Sequence, residues 1–444
     1  MITHLLLDNF KIWRSTGPMR FSPITLLLGA NSSGKSSLIQ ALLLIRQTVK
    51  GGDDNQDLNL GNPDGGDSVE LGQYKDVLCQ HGSSKKIGIE FRWSPTGDTK
   101  DSAIFSARYR QGPAGSAEIE YLRLGKEGQA FIVERRRQGV YRLQLANERT
   151  SRRQHADFRP YKSFAFSQAA LSRLGNAADS IRDVGPQLLH ELNRIIYLGP
   201  VRRLAKRDYV WNGLMPATIG DDGAKAVDAL IASGAASQKA RSRNLSQPIE
   251  AELFNKTKYW LEAMGLADDL FVMSLGKSAR YELLIRCKGE SSNVKDVGVG
   301  VSQVIPVIVA ALYASPGHIV IIEEPESHLH PLAETVLADL FIETSKTRNV
   351  QFIIETHSEH LMLRLQRRIA EQKTTPHEIA IYFCKRNGKE AIIEPLKLTS
   401  EGDIENWPEN FFGDEMTELS ERTIAAMNRR IEQRGNTNED SSSD

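Results

Sequence analysis

The chain has 444 residues, and its 56 Lys+Arg balance 56 Asp+Glu to a formal net charge of zero, so no global basic field recruits nucleic acid or an anionic membrane. With 40% hydrophobic and 25% charged residues, the composition is that of a soluble globular protein of one large or two to three modest domains, which excludes collagen-like, coiled-coil and wholly disordered readings. Three distant cysteines, Cys79, Cys287 and Cys384, fit a reducing compartment and exclude a disulfide framework or a Cys-based zinc site; without a secretory leader or a run of about eighteen apolar residues, a cytoplasmic protein with no membrane span is expected.

In chain order, Leu5, Leu6 and Leu7 read as a first strand and Ile24 to Leu28 as a second, buried one that runs into a Gly/Ser loop. Leu38, Ala41, Leu42, Ile45 and Val49 recur at helical spacing up to Gly51 and Gly52, and the Gly/Asp/Asn-rich stretch from Gly51 to Asp67 reads as a mobile loop. Alternating runs such as Ile87, Ile89, Phe91 and Tyr141, Leu143, Leu145 suggest antiparallel strands between about residues 85 and 150. Helical patterns cover Ser167 to Glu191, a buried strand follows at Arg194 to Leu198, and residues 201 to 265 look like an inserted helical subdomain. Beyond it, strands at Tyr281–Arg286, Ile319–Ile322, Val350–Ile354, Ile379–Cys384 and Ala391–Leu396 alternate with helices at Val304–Leu312, Leu332–Glu343 and Glu359–Glu371, an α/β pattern. The acidic, Ser/Asn-rich end from Glu432 to Asp444 is expected to be disordered.

Gly29-Ala30-Asn31-Ser32-Ser33-Gly34-Lys35-Ser36, followed by Ser37, matches the phosphate-binding P-loop pattern and lies between a buried strand and an amphipathic helix, the context such a loop requires. Its glycines permit a tight turn whose N–H groups face phosphate oxygens; Lys35 neutralises the β- and γ-phosphates of ATP, and the Ser36 hydroxyl ligates Mg²⁺. The acidic partner such a loop needs stands after Ile319-Val-Ile-Ile322: Glu323 is placed for the metal, and Glu324 is the candidate general base that deprotonates the attacking water. Phe352-Ile-Ile-Glu-Thr356-His357-Ser358 is a buried strand ending in a polar switch, with His357 able to hydrogen-bond the γ-phosphate. A zinc reading of His328, His330, His357 and His360 lacks helical i, i+4 spacing.

Together these elements resemble the ABC-type ATPase head shared by SMC, RecF and OLD proteins; the run Glu323-Glu-Pro-Glu-Ser-His-Leu-His-Pro331 and Asn9-Phe10-Lys11 resemble the RecF/OLD-like bacterial ATPases in particular. The resemblance implies a two-lobed α/β head with an antiparallel β subdomain in residues 1–200, a helical insertion at 201–265, a second lobe at 266–400 and a short C-terminal helical tail at 401–444. It also implies ATP sandwiched between two protomers, the Gly-rich signature of one touching the γ-phosphate held by the other. Here Val297-Gly298-Val-Gly300-Val-Ser302-Gln303 stands for that signature, with Gly298 where the family has serine, so that a backbone-only contact at Gly298 and Gly300, or one through Ser302, replaces the expected hydroxyl. Gln73, in preference to Gln80, stands for the lobe-connecting metal ligand. OLD proteins carry a Toprim nuclease after the head; no Asp-x-Asp follows His357, and no nuclease site is expected in this chain.

Members of this size resemble the ATPase subunits of Septu, PARIS and retron-associated antiphage systems. The resemblance therefore implies a sensor and scaffold that oligomerises and holds a separate effector, an HNH-type or Toprim-type nuclease. The rival is a RecF-like repair ATPase that contacts DNA through Arg135 to Arg137, Arg152, Arg153, Arg202, Arg203, Lys206 and Arg207. In the tail, Trp407, Pro408, Phe411 and Phe412, then Met416, Leu419, Ile424, Met427 and Ile431, read as a surface that packs back on the head or captures a partner.

Overall fold

The computed structural model describes residues 1–51, 56–62, 66–82, 84–94, 102–126, 129–136, 139–145, 153–242, 252–276, 279–408, 421–427 and 429. The chain opens with β1 (Ile2–Phe10), β2 (Trp13–Ser15), β3 (Met19–Arg20) and β4 (Ile24–Gly29), then helix α1 (Lys35–Lys50). The short α2 (Tyr74–Val77) leads to a meander of β5 (Ile87–Trp93), β6 (Ala103–Gln111), β7 (Ala117–Lys126), β8 (Phe131–Arg135), β9 (Tyr141–Leu145) and β10 (Arg153–His155). Helices α3 (Gln168–Leu174), α4 (Asp179–Arg182) and α5 (Val184–Asn193) precede β11 (Ile195–Leu198) and β12 (Tyr209–Val210). Then come α6 (Ala226–Ser242), α7 (Glu252–Ala263), β13 (Asp269–Ser274), β14 (Arg280–Cys287), β15 (Glu290–Asn293) and α8 (Val299–Tyr313). The chain continues through β16 (Ile319–Glu323), α9 (Pro331–Arg348), β17 (Gln351–Glu355), α10 (Glu359–Ala370), β18 (Ile379–Asn387) and β19 (Glu390–Leu396).

Among the described residues these strands form three sheets. The central one has the order β11-β16-β17-β4-β18-β19, parallel except for β19. Its middle strands β16 and β17 are buried along their whole length, and β4 along all but its last residue, as expected of parallel strands covered on both faces, which read as unbroken aliphatic runs. Side chains alternate between two cores. Leu27, Ile319, Ile321 and Ile353 join the core shared with α1, α5 and the antiparallel sheet β10-β9-β8-β7-β6-β5-β1-β2. Leu26, Leu28, Val320, Ile322, Phe352 and Ile354 join the core shared with α6 to α9.

Three features depart from the sequence expectations. The stretch up to Asp67 is packed where it is described. Leu58 and Leu60 are buried, Asp57 accepts from the Ile119 N–H and pairs with Arg159 at 3.2 Å, and Gln47 donates to the Asn59 and Val69 carbonyls. Its Asn and Asp residues supply hydrogen bonds to turns; residues 52–55 and 63–65 lie outside the described residues. Residues 201–225 contain no helix, β12 pairs with β14, and α6 and α7 bury Leu230, Ile231, Trp260 and Leu261 in the same core as α8; the segment is part of that lobe, not a body inserted into it. Finally, β4 and β11 come from the first 200 residues yet build the central sheet with β16 to β18, so the lobes are not consecutive pieces of chain. In the tail, Trp407, Ile424 and Met427 are exposed, while Phe411, Phe412, Met416, Leu419 and Ile431 fall outside the described residues.

Candidate functional site

β4 ends at Gly29 with φ 140°, and a Cβ there would lie 2.1 Å from the Cys384 carbonyl oxygen on β18, so the sheet itself demands glycine. Gly34 has φ 103°, and a Cβ would strike the Ile12 and Trp13 side chains at 2.6 and 2.8 Å. Trp13 backs the loop from behind, donating from Nε1 to the Gly34 carbonyl at 3.2 Å. Asn9 and Lys11 take left-handed φ of 56° and 53° around the buried Phe10, the turn that joins β1 to β2 and sets Trp13 in place. Lys35 is only 3% exposed and donates from Nζ to the Gly29 and Ala30 carbonyls at 2.9 and 3.0 Å. Asn31 and Ser32 lie exposed on the loop, Ser33 and Ser37 are buried, and the positive end of α1 points into it.

The parity of the central sheet decides where the acids go. Glu323 continues the Ile319, Ile321 row and Glu355 the Ile353 row, so both carboxylates emerge on the α1 face, as in-register neighbours on parallel strands. The Ser36 hydroxyl donates to Glu355 Oε1 at 3.0 Å, Lys35 Nζ stands 3.8 Å from the same oxygen, and the Tyr197 hydroxyl of β11 donates to Glu323 Oε1 at 2.7 Å. Burial raises both carboxyls; on Glu355 the negative charge of Glu323 adds to it, and its pKa is pushed up to about 8. Glu355 is the residue that sequence reasoning missed. Its signal was present in the matching ends of Ile319-Val-Ile-Ile-Glu323 and Gln351-Phe-Ile-Ile-Glu355, but it becomes meaningful only once the two strands are known to be in-register neighbours.

In metal-free buffer this raised carboxyl has a direction that can be tested. The folded state favours the protonated form, so the associated stability is complete below the unfolded value near 4.5 and is lost as pH rises towards about 8. Glu355→Gln, which never ionises, is therefore expected to gain Tm over wild type progressively between about pH 5 and pH 8, by a few degrees at the top of the range. Thermal melts across that pH range in EDTA check this; a constant difference would refute it.

Glu324 follows the strand with φ 47°, a strained setting for a residue with a Cβ. It is fixed from several sides: its N–H donates to the Glu355 carbonyl at 2.7 Å, its Oε2 accepts from the Ser327 hydroxyl at 3.0 Å, and Arg202 donates from Nη2 to the Glu323 and Glu324 carbonyls at 2.7 and 2.8 Å. Arg202 is thus an internal clamp, only 4% exposed and with its pKa lowered to about 10 by burial, and not a DNA phosphate contact. Others in the proposed basic clusters are committed to acids: Arg203 to Asp222, Arg207 to Asp296, Arg135 to Glu118 and Arg136 to Glu134. Arg137 and Arg152 lie outside the described residues. Glu326 accepts from the His357 N–H at 2.7 Å, tying the acidic turn to the switch, and Ser358 caps α10 by accepting from the Leu361 N–H. Burial, reinforced by the charge of Lys35, lowers the His357 pKa and favours a neutral ring.

The three candidate trans contacts separate. Gly298 is the N-cap of α8, and a Cβ there would meet nothing within 4 Å. Gly300 packs on the turn after the acidic pair, where a Cβ would lie 2.5 Å from the His328 carbonyl oxygen, so its need for glycine is internal; Ser302 Oγ is occupied by the Val299 carbonyl at 2.9 Å. Gly300→Ala is expected to cost about 1–3 kcal/mol, while Gly298→Ala leaves the melt of the isolated protein unchanged; differential scanning calorimetry separates the two. Gln73 caps α2 in a reciprocal box with Asp76 and abuts Gly115, and its described contacts are with that cap rather than with Ser36 or Glu323.

A hydroxyl and two carboxylates form a hard oxygen set suited to magnesium; no N–H or hydroxyl donor reaches the buried Glu355 Oε2, and the two carboxyls of Glu355 and Glu323 meet each other, so the residues present fit a divalent ion, with Ser36 and Glu323 as its first holders. Among the described residues no helix is long and apolar enough to cross a membrane.

A family model described as "AAA domain, putative AbiEii toxin, Type IV TA system" matches residues 24–363, and one described as "Protein of unknown function (DUF3696)" matches residues 375–421. Comparison with curated proteins gave no match. Among solved structures, the chain is similar to an SMC head bound to the C-winged helix domain of ScpA, at 13% identity over 89% of this chain and 98% of that one, with a TM-score of 0.50. It is similar as well to the SMC head domain from Thermotoga maritima (13% identity, 89% and 99% covered, TM-score 0.41). A third is an SMC head with an extended coiled coil bound to the C-terminal domain of ScpA, derived from Pyrococcus furiosus (12% identity, 89% and 96% covered, TM-score 0.46). The first likeness identifies the fold as that of an ABC-type P-loop ATPase head.

Proposed function

The chain belongs to the AAA domain family whose model spans residues 24–363, and from that premise we propose that it binds and hydrolyses ATP in a two-protomer sandwich and serves as sensor and scaffold for a separate effector. The observation that carries the enzymatic part is the convergence of Lys35 and Ser36 on Glu323 and Glu355, with Glu324 locked beside them. In this reading the loop N–H groups and Lys35 take the β- and γ-phosphates. On binding, Lys35 exchanges the Gly29 and Ala30 carbonyls for phosphate oxygens. Glu324 orients a water in line with the leaving group and accepts its proton. His357, a neutral imidazole, donates from its protonated ring nitrogen to a γ-phosphate oxygen and reports its presence. Ser36 and Glu323 would hold magnesium, which when bound would supply positive charge to the phosphates.

Assembly of two heads is supported by the face around the trans segment. Gly298 is open, Val299 beside it is 53% exposed, and Leu332, which follows the acidic turn, is 71% exposed; a second copy would cover such apolar groups. An effector, an HNH-type or Toprim-type nuclease in antiphage defence, is the partner proposed, by analogy with the SMC head whose structure carries a bound ScpA domain. The test is phosphate release with Mg²⁺ and ATP by the purified chain, together with light scattering with and without ATP. Lys35→Ala is expected to weaken binding of a fluorescent ATP analogue about tenfold or more and to abolish any ATP-dependent change in mass. Equal binding by the variant would sink the assignment of the loop, and an unchanged mass in wild type would sink the sandwich.

A further inference from the structure

We propose that Glu355 is itself a direct ligand of the divalent cation, so that Ser36, Glu323 and Glu355 bind the ion before any nucleotide arrives. The inference deepens the reading of this site as one for magnesium and ATP, and rests on it. In a P-loop site with a single metal-facing acid, phosphate oxygens complete the ion's shell, and without nucleotide there is little to hold it. Here the neighbouring parallel strand supplies a second carboxylate at the same level. The Glu355 side chain is 7% exposed, yet no N–H or hydroxyl donor reaches its Oε2, and the carboxyl instead meets that of Glu323, leaving two acidic groups face to face. Its other oxygen takes the Ser36 hydroxyl, the group that the loop offers to the metal. Charge points the same way. Lys35 is the nearest cation to Glu355, and its amine already serves the Gly29 and Ala30 carbonyls. One ammonium beside two buried carboxyls cannot balance both in their ionised form, which is costly away from water; a divalent ion can.

A second consequence concerns ATP. When ionised, Glu355 opposes the phosphates as a like charge, and a bound cation removes that opposition. Cation and ATP therefore favour each other's binding by the same factor, and that factor is larger than in a variant without the carboxylate.

The experiment uses the full nucleotide-free chain titrated with Mn²⁺ and followed by the electron paramagnetic resonance signal of the free ion. The variants are Glu355→Gln and the shorter but still acidic Glu355→Asp, each accepted once its melt shows a folded protein. Wild type is expected to bind one Mn²⁺ without nucleotide, Glu355→Gln to bind it at least about tenfold more weakly, and Glu355→Asp to recover most of the loss. In EDTA, Glu355→Gln is expected to bind a fluorescent ATP analogue more tightly than wild type. Absence of nucleotide-free Mn²⁺ binding in wild type, or equal Mn²⁺ affinity in wild type and Glu355→Gln, overturns the proposal. ATP binding in magnesium tells the two levels apart. If it persists while Mn²⁺ affinity ignores Glu355, the cation inference alone has failed. If Mn²⁺ affinity depends on Glu355 while no ATP binds, the nucleotide reading has failed and the cation site stands.

Discussion

Glu324→Gln is expected to lower ATP turnover by about 10²–10⁴-fold, the span that removal of a positioned general base produces, while ATP affinity stays within a few-fold of wild type. The substitution keeps the shape that the site has already enforced. Gln can hold the φ of 47°, its N–H still reaches the Glu355 carbonyl, and its side-chain oxygen still accepts from the Ser327 hydroxyl. What it loses is the ability to take a proton from water. Because Lys35, Ser36 and Glu323 are untouched, the nucleotide is held but not consumed, and the ATP-bound assembly should persist in light scattering instead of decaying with hydrolysis. Single-turnover phosphate release together with fluorescent-nucleotide binding checks both halves. Turnover within threefold of wild type would remove Glu324 from the role of base; loss of binding would mean that the turn, and not the proton transfer, had been damaged.

The sequence was most legible where backbone geometry and chemistry impose the same residues. Gly29 and Gly34 can be read from the P-loop pattern because no side chain fits against Cys384 or against Ile12 and Trp13. The aliphatic runs of β4, β16 and β17 announce parallel strands buried on both faces. Pairing was harder. That β17 lies between β4 and β16 is a long-range fact, and only from it does Glu355 become a neighbour of Ser36 and Glu323. Basic residues were least legible, since a run such as Arg202, Arg203, Lys206 and Arg207 has no periodicity that tells a clamp from a surface. Arg202 turns inward while Arg203 and Arg207 pair with acids at the surface. The same ambiguity affected the Gly-rich segment, where Gly298 faces open space and Gly300 the His328 carbonyl: one letter, two different reasons. Composition likewise could not tell that the Gly/Asp/Asn stretch after α1 folds back through Asp57, Leu58 and Leu60.

Arg202→Met is expected to reduce turnover about a hundredfold and to lower stability by about 2–5 kcal/mol, with ATP affinity affected far less than turnover. One guanidinium nitrogen serves the carbonyls of both Glu323 and Glu324, and the shorter, apolar methionine would remove that donor from one buried and one part-buried carbonyl. Those carbonyls bracket the peptide at which the chain leaves β16 and enters the left-handed turn, so loosening them moves the base relative to the phosphates before it weakens the loop that binds them. The nearby carboxylates of Glu324 and Glu326, whose charges favour the Arg202 cation, would lose their counter-charge as well, which adds to the cost. Lysine keeps the charge but not the fork; Arg202→Lys should recover part of the stability and less of the turnover. Steady-state kinetics with separate kcat and KM, read beside thermal melts, distinguishes this clamp from a surface role. If Arg202 contacted DNA from the surface, the methionine variant would melt like wild type, keep its kcat and lose only a salt-dependent affinity for duplex. A fall in kcat and Tm with unchanged DNA behaviour is the outcome that its burial behind the acidic turn requires.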